Sequence, residues 1–268
     1  MPAGRPAGDP VAALAGDPVA DSAGGPSGDP IGADPAAARP VAVPREAATV
    51  LLLRDGTNGL VGLETWLLRR VPKMAFAPGM SVFPGGGVDP ADAAGPVPAT
   101  AGPVAERFGI ATEHAAVLMR TAVREVAEET GVRLPPEVLL PWARWITPEV
   151  EPRRYDTYFF VAPIPDGATA AAVTGEASHA DWIPVARALA EYERDERPML
   201  PPTVVNLAEL ATLPDVAAVL AAAGSRVVRP VQPTFRKDAS GTWCADLGDG
   251  RLLPLPASFR RSSGGALS

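Results

Sequence analysis

The sequence predicts an α/β fold, an α/β/α sandwich built on a mixed sheet. Three observations lead there: short apolar runs containing β-branched residues and bounded by turn residues, one long helical pattern with a single apolar stripe, and proline-marked helix starts late in the chain. Residues 1–45 stand apart. They hold nine Pro and seven Gly, repeat Gly-Asp-Pro, and carry no aromatic residue before Trp66. Such a segment lacks the large apolar groups needed to offset its ordering entropy, so it is expected to be disordered.

From there the elements follow in order. Ala47 to Leu53 reads as a strand closed by Arg-Asp-Gly, with Leu63 to Arg70 as its hairpin partner. Ser81-Val82-Phe83 is a short strand feeding Pro84-Gly85-Gly86-Gly87. Residues 93–111 are proline- and glycine-rich and read as a surface loop followed by a short helical turn. Thr112 is placed as the cap of a helix from Glu113 to Thr130, with Gly131 just past its end. Ala115, Leu118, Met119, Ala122, Val123 and Val126 recur at helical spacing and give it a core-facing stripe. Trp142 to Thr147 and Thr157 to Ile164 read as strands, and Ala180 to Pro184 ends another that leads into a helix through Arg194. Helices are predicted at 202–212 and 214–223. Short strands are predicted at 227–231, 242–246 and 252–255, before a disordered end.

Composition excludes some functions. The net charge is −7, which argues against a nucleic-acid backbone as the main partner. The longest apolar run, Val216 to Ala223, is far short of a membrane span. Cys244 is the one cysteine, so no intrachain disulfide can form and a reducing cytoplasm suits the chain. It reads as a small buried hydrophobe. A cytoplasmic protein with no membrane or nucleic-acid partner is the expectation, and a homodimer is compatible with it.

The chemistry is concentrated in Arg124-Glu125-Val126-Ala127-Glu128-Glu129-Thr130-Gly131-Val132. At ~100° per residue, Glu125, Glu128 and Glu129 share a narrow arc of the helix. Like charges so close repel, and a hard divalent ion such as Mg²⁺ or Mn²⁺ relieves them through oxygen ligands. Alone, the segment reads more readily as a solvated face with Arg124 paired to Glu128. The glycine run at 85–87 shifts the balance, because it lets Gly86 and Gly87 approach a ligand closely. Outside it, Arg153 and Arg154 are candidates for holding terminal phosphates, and Glu176 is a candidate acid on a loop. His114 and His179 read as incidental.

These two segments together resemble the Nudix hydrolase family, whose box reads G-x5-E-x7-R-E-x-x-E-E-x-G followed by an apolar residue. Residues 124–132 match its right half without a gap. With Gly86 as the box glycine, Asp92 falls where the family has its first acid. Gly86 to Arg124 then spans 38 positions where the standard box has 14, so 24 residues are inserted between Asp92 and the helix. The insertion puts Asp92 in doubt as a ligand.

A long insertion at this place is similar to the peroxisomal coenzyme A and acyl-CoA diphosphatase branch. The stretches Trp145 to Glu149, Pro152 to Phe160 and Leu200 to Thr203 also look like that branch. Its CoA-associated motif is partly present as Leu67-Leu68-Arg69-Arg70 and Gly79 to Gly86, but Ala75 stands where its inner arginine would be. The resemblance implies a Nudix-type sandwich at 46–232, extra C-terminal helices, and a C-terminal extension at 233–268. It implies metal ligation by Glu125, Glu128, Glu129 and the Gly85 carbonyl, with Arg124 orienting the glutamates. The substrate it implies is a small nucleoside diphosphate derivative, CoA or acyl-CoA first. ADP-ribose, NADH or a nucleotide sugar stands next, and a non-catalytic ligand-binding domain remains a third class.

Overall fold

The computed structural model describes residues 41–56, 62–72, 77–173, 175, 177–256 and 259. Residues 1–40, Lys73, Ala75, Glu176 and residues 260–268 lie outside them, as do the expectations placed there. A mixed eight-stranded sheet organises the rest. Its central strand β1 (Arg45–Asp55) pairs in parallel with β6 (Tyr155–Pro163), and both are buried along most of their length. That explains why both read as nearly continuous apolar runs rather than alternating ones.

On its other edge β1 has two partners in succession. β2 (Leu63–Arg70) pairs antiparallel with Leu53 to Asp55 and then leaves. The gap is filled from the next segment, where β3 (Ser81–Val82) pairs with β2 and β4 (Gly85–Gly87) pairs with Ala47 to Thr49 of β1. The glycine segment, read from sequence as a run fed by a short strand, is therefore itself a strand that crosses from β2 to β1. Glycine is required there by contact. A Cβ on Gly85 would lie 2.5 Å from the Ala48 carbonyl oxygen and 2.7 Å from Thr49 Cα.

The insertion is more ordered than a loop. It forms helix α1 (Ala101–Phe108), which buries Ala101, Val104, Ala105 and Phe108. Pro103 hides this helix from a sequence reading, yet proline is tolerated in a first turn, where the N–H has no intrahelical acceptor. α1 packs on α2 (Thr112–Thr130), the helix that carries the glutamates. Thr112 lies within α2 rather than capping it; Ala111 holds the cap position and its carbonyl accepts the Ala115 N–H at 3.0 Å. The predicted end is correct. Gly131 takes a left-handed φ of 73° and donates to the Ala127 carbonyl.

β5 (Leu140–Ile146) continues the sheet beyond β6, and β7 (Ala177–Pro184) lies on the outer edge of β2. Three helices follow: α3 (Val185–Glu193), α4 (Pro201–Leu210) and α5 (Val216–Ser225). α5 starts later than Pro214 because the Asp215 carboxylate caps it, accepting the Ala218 N–H. After them β8 (Pro230–Val231) joins β5, and β9 (Thr234–Lys237), β10 (Trp243–Asp246) and β11 (Leu252–Pro254) form a separate three-stranded sheet. β9 was not expected from sequence. Ala245, Leu247, Leu255 and Phe259 join the apolar cluster of α3 to α5, so this extension is part of the core. Cys244 is a buried free thiol, as its composition context suggested.

The two apolar clusters lie on opposite faces of the sheet. One joins alternate residues of β1, β2 and β6 to α1 and α2; the other joins the intervening residues to α3, α4, α5 and the small sheet. This is the predicted α/β/α layering.

Candidate functional site

α2 lies over β1 and β4, which places Arg124, Glu125, Glu128 and Glu129 against the glycine strand. Arg124 is the hub. Its Nε and Nη2 donate to the two Asp92 oxygens at 3.0 and 2.9 Å, a bidentate pair, and Nη2 also donates to the Gly87 carbonyl at 3.0 Å. Nη1 donates to Glu125 at 2.7 Å and to Glu128 at 3.2 Å. Hydrogen bonding to Asp92 is the main reason the guanidinium is held protonated more strongly than usual.

Asp92 is thus held against the glutamate helix by Arg124 despite the insertion that separates it from that helix. Its side chain is an orienting group rather than a free ligand. It accepts from Arg124, from Thr121 Oγ1 at 2.9 Å and from the Asp89 N–H at 2.9 Å. Burial pushes this carboxyl up, but the Arg124, Asp89 and Thr121 hydrogen bonds outweigh it and hold it below its ordinary value. Arg120 secures the same segment from the next turn back, donating to the carbonyls of Asp92, Ala93 and Pro96. The clamp holds the first residues of the insertion, Ala93 and Pro96, as well as Asp92. Sequence reading missed Thr121 and Arg120. The signal was their spacing, since 120, 121 and 124 fall on one side of a helix.

The three glutamates differ in setting. Glu129 is 7% exposed and accepts the Gly85 N–H at 2.9 Å, which ties the end of α2 to the glycine strand. Glu125 is largely buried beside Gly86, where a Cβ would collide with its carboxylate. Burial pushes the Glu125 carboxyl up, partly offset by Arg124. The Glu128 side chain is 55% exposed. Glu125 and Glu128 converge on one nitrogen, while Glu129 faces Gly85. Among the described residues no three His, Cys, Asp or Glu close around a single point.

That arrangement still suits a magnesium-type ion. Mg²⁺ uses one or two carboxylates, several waters and substrate phosphates rather than an all-protein cage. The donor set is hard oxygen throughout, and the missing side chain of Gly86 gives the Glu125 carboxylate its place against β4.

The remaining candidates are dispersed. Arg154 is buried, and its Nε and Nη1 donate to the carbonyls of Thr147 and Ala42. It fastens the chain entering β1 and is not placed to read a phosphate. Arg153 is exposed beside a groove lined with Arg45, Val43 and Tyr155. Arg69 is exposed on β2, where its carbonyl accepts from Ser178 Oγ. Glu176 lies outside the described residues. His114 pairs with Glu46 at 2.6 Å and His179 with Asp181 at 3.5 Å, neither of them part of the glutamate cluster.

Comparison with known proteins bears on the fold. Residues 111–202 match the family model of the NUDIX domain. A 206-residue stretch is 25% identical to the putative nudix hydrolase 7 of Caenorhabditis elegans, covering 64% of this chain and 62% of that protein's length. The crystal structure of a NUDIX hydrolase from Alicyclobacillus acidocaldarius superposes with a TM-score of 0.56 at 25% identity, covering 70% of this chain and 99% of that one. Among the described residues no helix is long and apolar enough to cross a membrane. The matched segment, the shared fold and the unbroken run from Arg124 to Val132 make the centre of this chain similar to NUDIX domains.

Proposed function

We propose that this chain hydrolyses the diphosphate bond of a nucleoside diphosphate derivative, with Mg²⁺ or Mn²⁺ held by Glu125, Glu128 and Glu129. The observation that carries the reading is the clamp itself. Asp92 and Gly87 fix Arg124, Arg124 draws Glu125 and Glu128 together, and Glu129 bonds the glycine strand beside them. A domain that only bound a ligand would have no physical need for such crowded acids.

When bound, the ion neutralises phosphate oxygens and lowers the pKa of a coordinated water. The chain's own residues do the rest. Gly86 lets the Glu125 carboxylate lie against the β4 backbone, and Arg124 keeps the carboxylates oriented. One carboxylate of the cluster accepts a proton from the attacking water. The Gly85 carbonyl is a further oxygen donor in this reading.

CoA or acyl-CoA is the substrate we place first, cleaved to adenosine 3′,5′-bisphosphate and the phosphopantetheine. Its support is the long insertion together with the Gly79-to-Gly86 motif, which forms the β3–β4 crossing at the site. Arg153 remains the candidate for a terminal phosphate. If it reads the 3′-phosphate, Arg153→Ala should lower kcat/KM for CoA about 10-fold or more and spare dephospho-CoA. Equal wild-type rates on the two substrates, or faster turnover of ADP-ribose, would shift the substrate to the wider class.

A further inference from the structure

Arg45 and Tyr155 open β1 and β6 and lie across from each other in the parallel ladder. Side chains alternate along a strand, so these two stand on the face opposite Glu46 and Tyr158, which meet His114 in the first turn of α2. They therefore face away from the glutamate cluster. With Val43, Pro152, Arg153 and Arg154 they line a groove of about 220 Å³.

Charge, rigidity and size suit the groove to an anionic end group. Its charge runs against that of the chain, since the net charge is −7 yet three arginines and no acid line it. The nearby acids are engaged elsewhere: Glu46 pairs with His114, and Asp156 accepts from Arg144 at 2.9 and 2.7 Å. Burial alone pushes the Glu151 carboxyl up, with no cation holding it down. Among the described residues no carboxylate pairs with Arg45. The walls are also fixed before any ligand arrives. The buried Arg154 donates to the Thr147 carbonyl at 3.0 Å and to the Ala42 carbonyl at 2.9 Å, and its own carbonyl accepts the Arg45 N–H at 2.9 Å. Finally, the groove is smaller than the ~300–1,000 Å³ of sites that enclose a whole small molecule, so it fits one end of a ligand.

We propose that this groove is a phosphomonoester site, in which the Arg45 and Arg153 guanidiniums take the phosphate oxygens and Arg154 fastens the two walls together. A guanidinium fork matches a pair of phosphate oxygens, and the apolar surfaces of Val43, Pro152 and Tyr155 strengthen the contact by excluding water. Arg45 lies three residues before Ala48, the strand partner of Gly86, which is about 10 Å along β1, and it faces the other side of the sheet. The site is therefore separate from the hydrolytic cluster, and it goes beyond the diphosphate-hydrolase reading without resting on it. A terminal phosphate of the substrate and a free phosphate compound share the chemistry that the groove recognises.

The test is ¹⁵N NMR of the full chain in a chelating buffer, titrated with inorganic phosphate against chloride at equal ionic strength. Without a metal the glutamate cluster repels an anion, so phosphate binding reports the groove. The Arg45 and Tyr155 amide signals should shift saturably with phosphate and not with chloride. Arg45→Gln combined with Arg153→Gln should weaken phosphate about 10-fold or more, with the melting temperature within a few degrees of wild type because both side chains are exposed. CoA and dephospho-CoA separate the two sources. Signals moved by CoA but not by dephospho-CoA assign the phosphate to the substrate, and signals moved by inorganic phosphate but by neither nucleotide assign it to a free compound. Phosphate that moves neither signal, or that binds the folded double variant as tightly as the wild type, would overturn the site. Failure of the hydrolase reading is seen separately, as absent turnover with Mg²⁺ in a protein that still binds phosphate here.

Discussion

Glu129 and the paired glycines carry the tightest residue-scale constraints in the site. Glu129→Gln keeps the volume and an oxygen that can accept the Gly85 N–H, but removes one negative charge. Turnover should fall on the order of 10² or more while the melting temperature stays within a few degrees, measured by steady-state rates and calorimetry. Gly85 and Gly86 should separate stability from activity. An alanine at Gly85 meets β1 backbone that cannot yield, so we expect a loss of ~2–3 kcal/mol in denaturant unfolding. An alanine at Gly86 meets the flexible end of Glu125, so the fold should survive and the rate should drop. The reverse ranking would contradict the account.

At this scale the sequence announced the glutamates through their spacing and the glycines through their number. It could not announce what they touch. Arg153 and Arg154 are neighbours of one residue type, yet one is exposed and the other is spent on two backbone carbonyls. Only the path of the chain before β1, which brings Ala42 to Arg154, separates them.

Among elements, the insertion is the part read least well. Gly95-Pro96 and Gly102-Pro103 look like punctuation, and the helix that contains the second pair is only eight residues long. Its stability is tertiary rather than intrinsic. Phe108 meets the Tyr158 and Phe160 rings edge-on at 5.1 and 5.4 Å. Phe108→Ala should therefore destabilise the domain by ~3–5 kcal/mol, read as a lowered denaturant midpoint. A midpoint unchanged from wild type would mean that α1 is only an appendage. By contrast α2 was legible nearly to the residue, because its apolar stripe and its terminal Gly131 follow local rules. Its start was misplaced by one position. Thr112 resembles a cap, and whether a threonine caps or begins a helix depends on the preceding backbone.

For the whole molecule, the layered α/β plan followed from the alternation of strand and helix patterns, whereas the partner order of β1 did not. Nothing local says that β4 replaces β2 along one edge, since that depends on closing the chain from residue 70 to residue 81. The boundaries of the domain follow from packing. Removing residues 1–40 should leave the melting temperature and turnover unchanged, because the sequence there lacks the groups to form a core. Removing residues 1–45 should lower the melting temperature, since it takes away the Ala42 carbonyl bonded by Arg154 and the first residue of β1.

The central proposal is that the Arg124-centred cluster makes this domain a metal-dependent diphosphatase. Its most direct test is incubation of the full chain with Mg²⁺ and a panel of CoA, acyl-CoA, ADP-ribose, NADH and a nucleotide sugar, with products read by mass spectrometry beside Glu129→Gln. The account predicts cleavage within the diphosphate by the wild type, loss of it on chelation, and none by the variant, with CoA giving adenosine 3′,5′-bisphosphate. No cleavage of any substrate, or equal cleavage by folded Glu129→Gln protein, would contradict it.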